Sequence, residues 1–427
     1  MNLSINLAIL KPVATMLIGS SAAMVLSALS VLVATHFFSP AVYGTFQATD
    51  SFALIFAFGG TFALDKAFYV SRSKSEDRII AAMAVSAIFF TTLVAIVLYV
   101  FMVSYGLIEA IVSLPIAILY LAIVIMSRGL FFLSRSYQIR ELNYKIVAMS
   151  DIVQSAILFI GRSLSSLYWP TLLGLLISGI AGTLGGTFKI SQTVRRLAIQ
   201  GLSEISRPRF SYVAWKNRRY FLVESWGGFL RSMAQKGTVV LVTATFGPSK
   251  AALTSVALLL LLQPMQVVIN PAVDVARSKL ATLIRNSDKS NDLIIANLTP
   301  LAVILIAPFI LAFGIMVLLF LAPTLIGEKW QEVNSVIIYM APVVYALLVA
   351  RALQSVFSQL SLQGLALSVD LLSTLVLFVT IYLSWSLGFD LTTSFLAAGV
   401  ALVLTMYFLF AILLLWTGKY NRVRHSV

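Results

Sequence analysis

Twelve apolar runs, each long enough to cross a bilayer, follow one another almost without a break from about residue 13 to residue 416. A spanning helix needs ~20 predominantly apolar residues, because it rises ~1.5 Å per residue across a ~30 Å hydrocarbon core. Charged or Gly/Pro-bearing connections set the spans at 13–35, 45–64, 79–104, 108–133, 146–164, 168–189, 220–246, 251–273, 293–320, 332–358, 364–387 and 392–416. In hydrocarbon every backbone polar group must be satisfied internally, so such runs become helices. The expectation is an all-α polytopic membrane protein. Composition closes the alternative: 60% of the 427 residues are hydrophobic and 11% charged, against ~45–50% and ~25% in soluble domains.

Chemistry that depends on cysteine is excluded, since the chain has none. Its two histidines, His36 and His425, stand at opposite ends, so neither a metal cluster nor a bound cofactor is expected. A net charge of +14 could point to nucleic acid, but the distribution of the charge argues for topology instead. With both termini cytoplasmic, 24 of the 30 basic residues fall on the inner side, Arg128 and Lys189 at the inner ends of their spans; Arg162, Lys250 and Lys329 fall on the outer side, and Arg231, Lys236 and Arg351 lie deeper within spans. The run after Lys11 is too long for a signal-peptide core and reads as a retained first span. Trp169, Trp330 and Trp385 mark the expected outer interface, Trp215 and Trp416 the inner one.

The longest inside connection divides the spans six and six, giving an N-terminal bundle over 1–190, a basic linker over 191–219 and a C-terminal bundle over 220–427. The linker mixes Arg195-Arg196, Arg207-Pro208-Arg209 and Arg218-Arg219 with Leu, Ile, Phe and Trp. It is either an interfacial segment on anionic lipid or a solvated determinant of orientation. The halves resemble each other: Phe38-Ser39-Pro40 matches Phe246-Gly247-Pro248, Arg128-Gly129-Leu130 matches Arg351-Ala352-Leu353, and DIVQSAILF at 151–159 matches DLLSTLVLF at 370–378. Repeats of six spans share orientation and imply a pseudo-two-fold axis along the membrane normal.

The stretch HFFSPAVYGTFQATDSFALIFAFGGTFALDKAFYVSR (36–72), with Pro40, Tyr43 and Gly44 in its turn, resembles the opening of bacterial polysaccharide (O-antigen, Wzx-type) flippases. LIGEKWQEVNSVIIYMAPVVYALLVARALQSVFSQLSLQG (325–364) is similar to their C-terminal half. Those flippases belong to the multidrug/oligosaccharidyl-lipid/polysaccharide exporter superfamily, whose lipid II flippases typically have fourteen helices. The resemblance implies two six-helix bundles around a cavity opening to one side at a time. It implies movement of an undecaprenyl-pyrophosphate-linked oligosaccharide from the inner to the outer leaflet of the bacterial cytoplasmic membrane, as in lipopolysaccharide assembly. The implied partners are membrane lipids, a coupling proton or sodium ion, and polysaccharide polymerase or other assembly proteins.

Charges inside spans carry the site expectations, because an ionisable group at the bilayer centre costs ~3 kcal/mol on insertion scales. Arg231 and Lys236 on the seventh span either meet a lipid diphosphate or are neutralised by acids on neighbouring helices. Arg128 and Arg351 either line the cavity or pair with Asp151 and Asp370; the stripe Arg351, Ser355, Ser358 favours the cavity for Arg351. Gln263, Gln266, Asn270 and Asp274 form one polar face of the eighth span, punctuated by Pro264 and Pro271. Asp50 (with Gln47 and Ser51), Asp274 and Glu224 are the candidate coupling acids; Asp50 is equally readable as a hydrogen-bonded structural acid. No catalytic residue is expected. A multidrug-type exporter would favour an acidic or apolar cavity. A membrane polysaccharide polymerase or ligase would need a long outer loop or an acidic pair, and Glu328 and Glu332 come nearest to one. A scaffold for assembly enzymes is a third reading.

Overall fold

The computed structural model describes residues 3–71, 73–106, 113–204, 207–218, 220–262, 301–316, 328–359 and 362–425. The first six spans are α1 (Leu3–Phe37), α2 (Pro40–Gly59), α4 (Lys74–Ser104), α5 (Leu114–Arg140), α6 (Tyr144–Tyr168) and α7 (Leu172–Ile190), with a short α3 (Leu64–Ala67) after α2. The connection that follows is itself helical, as α8 (Gln192–Glu204) and α9 (Arg207–Lys216). The seventh span is a continuous helical path in four pieces: a π turn (Tyr220–Glu224), α10 (Ser225–Ser232), a second π turn (Met233–Gly237) and α11 (Thr238–Phe246). Then come α12 (Pro248–Leu262) and α13 (Leu301–Met316), α14 (Val333–Gln359), α15 (Gln363–Ser386) and α16 (Leu391–His425). Over the described residues each expected span overlaps one of these helical segments, the eighth and ninth only over 251–262 and 301–316, and the chain is an all-α multi-pass membrane protein.

Several helices outrun their apolar runs. α6 continues to Tyr168 through Ser163, Ser165 and Ser166; Ser165 Oγ donates to the carbonyls of Gly161 and Gly174 at 2.8 and 2.9 Å, and Ser166 Oγ to that of Ser163 at 2.7 Å. Polar side chains satisfied in this way do not end a helix.

Two compact units emerge, Met1–Ala252 and Leu253–Val427. The first therefore extends past the 191–219 connection, because α10 and α11 pack against α2. Within it α6 lies between α1 and α7, and α2 packs on α5. Small residues at every fourth position of α7 (Gly174, Ser178, Gly182 and Gly186) bring α6 close, and a Cβ at Gly186 would sit 2.6 Å from the Gln154 side chain. Such stripes replace the hydrophobic drive that lipid cannot supply.

The Pro-x-x-Tyr-Gly turn acquires a reason here. Ser39 caps α2 by accepting from the Val42 amide at 3.4 Å, and Pro40 occupies the first turn, where no amide is needed. Gly44 lets α2 meet the start of α12, since a Cβ there would lie 1.8 Å from the Pro248 carbonyl oxygen.

In the second unit α14, α15 and α16 pack mutually. Pro342 inside α14 removes one backbone bond, and Gly399 of α16 packs on that proline. Trp330 is fully buried within the protein. Asp390 starts α16, accepting from the Thr393 amide at 3.2 Å and from the Thr392 hydroxyl. These hydrogen bonds hold its carboxyl below the usual carboxylate range, so the cap contributes fully above that range and is lost as pH falls beneath it, through the lowered value of the folded state.

Candidate functional site

One polar face of α2 presents Tyr43, Gln47 and Asp50 at i, i+4 and i+7. Tyr43 is fully buried, and its hydroxyl accepts from Gln47 Nε2 at 2.6 Å. Asp50 is half-buried, and its Oδ1 accepts from the hydroxyl of buried Tyr120 on α5 at 2.6 Å. Two turns along α5 from Tyr120 stands Arg128, within electrostatic reach of Asp50, Tyr120, Asp151 and Arg162. Its Nε is buried without a hydrogen-bond partner. Lys236 comes from the second π turn of the seventh span and feels both Asp50 and Arg128. Arg128 and Lys236 make no hydrogen bond or ion pair with a described residue. A π turn inserts one residue into the helical register and often marks a working site.

Arg162 completes the group. It belongs to the outer charges by sequence, yet its side chain is 5% exposed on α6. One guanidinium nitrogen donates to Ser30 Oγ at 3.0 Å, and the group lies 5.9 Å from the Tyr43 ring centre and 5.4 Å from that of Phe46. Its Nε is also buried without a partner. The available signal was the arginine's place at the end of an apolar run, where one more turn of helix takes it inside. Two cations, Arg128 and Lys236, thus face one carboxylate, Asp50, and a third, Arg162, stands within electrostatic reach of Arg128. Guanidinium groups with open donors bind anions in forked geometry, and a cation in a low-dielectric interior is costly until an anion joins it.

The other expected residues fall elsewhere. Asp151 pairs with Arg135 at 2.9 Å rather than with Arg128, and Asp370 accepts from Gln354 Nε2 at 2.9 Å. Each acid is bonded sixteen residues back along the chain. Arg351 stands one helical turn out of that register relative to Arg128, and is half-buried on α14 in the second unit. Arg231 is half-buried on α10. Asp274, with the polar face Gln263, Gln266 and Asn270, lies outside the described residues.

Glu224 forms an ion pair with Lys66. It belongs to a charged layer with Lys216–Glu76 and Arg140–Asp77, both at 2.6 Å. Lys66→Glu and Glu224→Lys are each expected to lower thermal stability, and the double exchange to restore it. Lys66 is 41% exposed, so each single loss is at most ~1 kcal/mol. A double variant that regains stability but ignores an imposed pH or sodium gradient would make Glu224 a coupling acid.

No family model and no curated protein sequence matches the chain. Solved structures do. An inward-facing multidrug resistance MATE family transporter of the MOP superfamily is 12% identical, with a TM-score of 0.67 over 95% of this chain and 96% of its own. The lipid II flippase MurJ in an inward closed conformation is 13% identical, with a TM-score of 0.63 over 93% of this chain and 87% of its own. A MOP superfamily transporter from Pyrococcus furiosus, described as having a binding pocket of reverse polarity, is 14% identical, with a TM-score of 0.56 over 97% and 96%. The chain shares their fold.

Proposed function

We propose that this protein is a flippase for an undecaprenyl-pyrophosphate-linked oligosaccharide, an O-antigen or related repeat unit, moving it from the inner to the outer leaflet of the bacterial cytoplasmic membrane by alternating access. In this reading both termini are cytoplasmic and the two six-helix halves act as the moving parts. The observation that carries it is a group of three cations, Arg128 and Lys236 beside Asp50 and Arg162 beside Arg128, the first two without a bonded partner among the described residues. A diphosphate supplies the missing negative charge and several acceptor oxygens at once. The likeness to MurJ supports a lipid-linked cargo. Asp50, bonded to Tyr120 and facing Arg128 and Lys236, is the acid we assign to proton or sodium coupling.

A second reading, an exporter of amphipathic drugs, is favoured by the likeness to the MATE transporter. A cationic drug would be opposed by the interior cations Arg128, Arg162 and Lys236.

Purified protein in proteoliposomes loaded with a defined lipid-linked oligosaccharide separates the two. The flippase exposes the glycan to a membrane-impermeant lectin with time, and Asp50→Asn keeps binding but loses stimulation by a pH or sodium gradient. Gradient-driven loss of an organic cation from the vesicles, with no movement of the glycolipid, would establish the exporter.

A further inference from the structure

Between residues 191 and 219 the chain carries seven basic residues and a single acid, Glu204. It also exposes large apolar side chains: Ile199 (69%), Leu202 (57%), Tyr212 (67%) and Trp215 (68%). Exposed apolar residues on spans face lipid tails and need no further reason. These lie on a connection outside every span, where water would be the default surroundings.

The helical wheel of α8 has three sectors rather than two. Val194, Ala198 and Gly201 are buried, and the Gly201 backbone comes so near α4 that a Cβ would lie 2.1 Å from the Arg78 carbonyl oxygen. Beside that sector, Arg195, Ile199 and Leu202 recur at i, i+4 and i+7 and are exposed. Gln192, Arg196, Gln200 and Ser203 complete the far, polar side. A helix docked on one face, apolar on the next and polar on the third suits a boundary between tails and water.

Its depth agrees. Arg78 and Ala82 belong to the first turns of α4, where the apolar run of that span begins, and Ser191 alone separates α7 from α8. α9 is held at the same level by Lys216–Glu76 at 2.6 Å. The Arg218 guanidinium stacks 3.6 Å from the centre of the Trp215 ring, pairing a cation with an amphipathic ring of the kind found at headgroup level.

We propose that α8 and α9 form a platform that binds the headgroups of anionic phospholipid, with Arg195, Arg196, Arg209 and Arg218 on the phosphates and Ile199, Leu202, Tyr212 and Trp215 among the upper acyl segments. The platform tethers the first unit to the charged leaflet independently of the cargo. It does not depend on the flippase reading.

The test uses full-length protein in phosphatidylcholine nanodiscs containing either acyl-brominated phosphatidylglycerol or acyl-brominated phosphatidylcholine at equal fraction. Trp215 emission is read as the difference between the parent and Trp215→Phe. Quenching should be markedly stronger with the brominated anionic lipid and should fall as salt rises. The quadruple variant Arg195→Gln, Arg196→Gln, Arg209→Gln, Arg218→Gln should lose the preference, each charge accounting for about fivefold in lipid affinity. Equal quenching by both lipids would overturn the anionic assignment. Quenching by neither lipid, with free access to aqueous acrylamide, would make the segment a solvated loop and overturn the platform itself. The salt series on the parent keeps the test decisive if the quadruple variant is not produced.

Discussion

Arg128→Gln is expected to abolish translocation while raising, not lowering, the melting temperature of the purified protein. The two effects come from the same fact: Arg128 is an interior cation with no hydrogen bond or ion pair to a described residue. Removing it breaks no hydrogen bond or ion pair to a described residue, and a cation held within a span without one is itself a cost. In the flippase reading the missing anion arrives with the cargo, so the resting protein bears the cost. Lys236→Met should behave alike, since Lys236 also stands near Asp50 without a bonded partner. One charge-assisted contact is worth about 1.5–3 kcal/mol, so each loss should weaken cargo binding about ten- to hundredfold. Arg128→Lys should keep part of the activity, because charge remains while the forked geometry goes. If Arg128→Gln melts lower than the parent and transports normally, the arginine is a structural group and the cationic site dissolves. Arg162 is the internal contrast. It donates to Ser30 and lies over two aromatic rings, so Arg162→Gln should lose stability as well as activity.

The spans were legible because hydrocarbon leaves the backbone one solution, and a run of ~20 apolar residues has to adopt it. The partners of the interior charges were not. Asp151 could reach Arg128 or Arg135, which lie at i and i+7 on one face of α5, and only the axial offset of α5 against α6 selects Arg135. Arg128, two turns back along that face, comes within reach of Asp50. Hydropathy also misjudged Arg162, because serines and glycines around it end the apolar run without ending α6. The π turns that frame α10 have no hydropathy signal at all, although one of them carries Lys236. Repeat matching erred in register. The bonded pairs Arg135–Asp151 and Gln354–Asp370 align with the nonapeptide match, and the Arg128/Arg351 match stands a turn away from them. Apolar sequence offers many near-equal alignments, whereas a buried carboxylate accepts few partners.

Gly44→Ala is expected to be among the most damaging single-methyl additions in the first unit. A Cβ at this position would lie 1.8 Å from the Pro248 carbonyl oxygen, 2.6 Å from its carbonyl carbon and 3.1 Å from the Ala252 amide nitrogen. All three are backbone atoms in the first turns of α12, so no rotamer change relieves the clash, and α2 and α12 have to separate. Overpacking a well-filled contact costs about 1–3 kcal/mol, occasionally more, and a backbone obstacle puts this case at the upper end. The consequence reaches the polar face, because α2 also carries Tyr43, Gln47 and Asp50. Displacing it lengthens the Tyr120–Asp50 bond, now 2.6 Å, and draws Asp50 away from Arg128 and Lys236. The expected result is a lower melting temperature by fluorescence-detected size exclusion, reduced accumulation in membranes and no translocation by the fraction that remains. Gly228→Ala supplies the control, since nothing lies within 4 Å of a Cβ there; it should melt at or slightly above the parent, the helix gaining up to ~1 kcal/mol from alanine. Equal melting of Gly44→Ala and Gly228→Ala would mean that α2 and α12 do not touch as closely as this geometry requires.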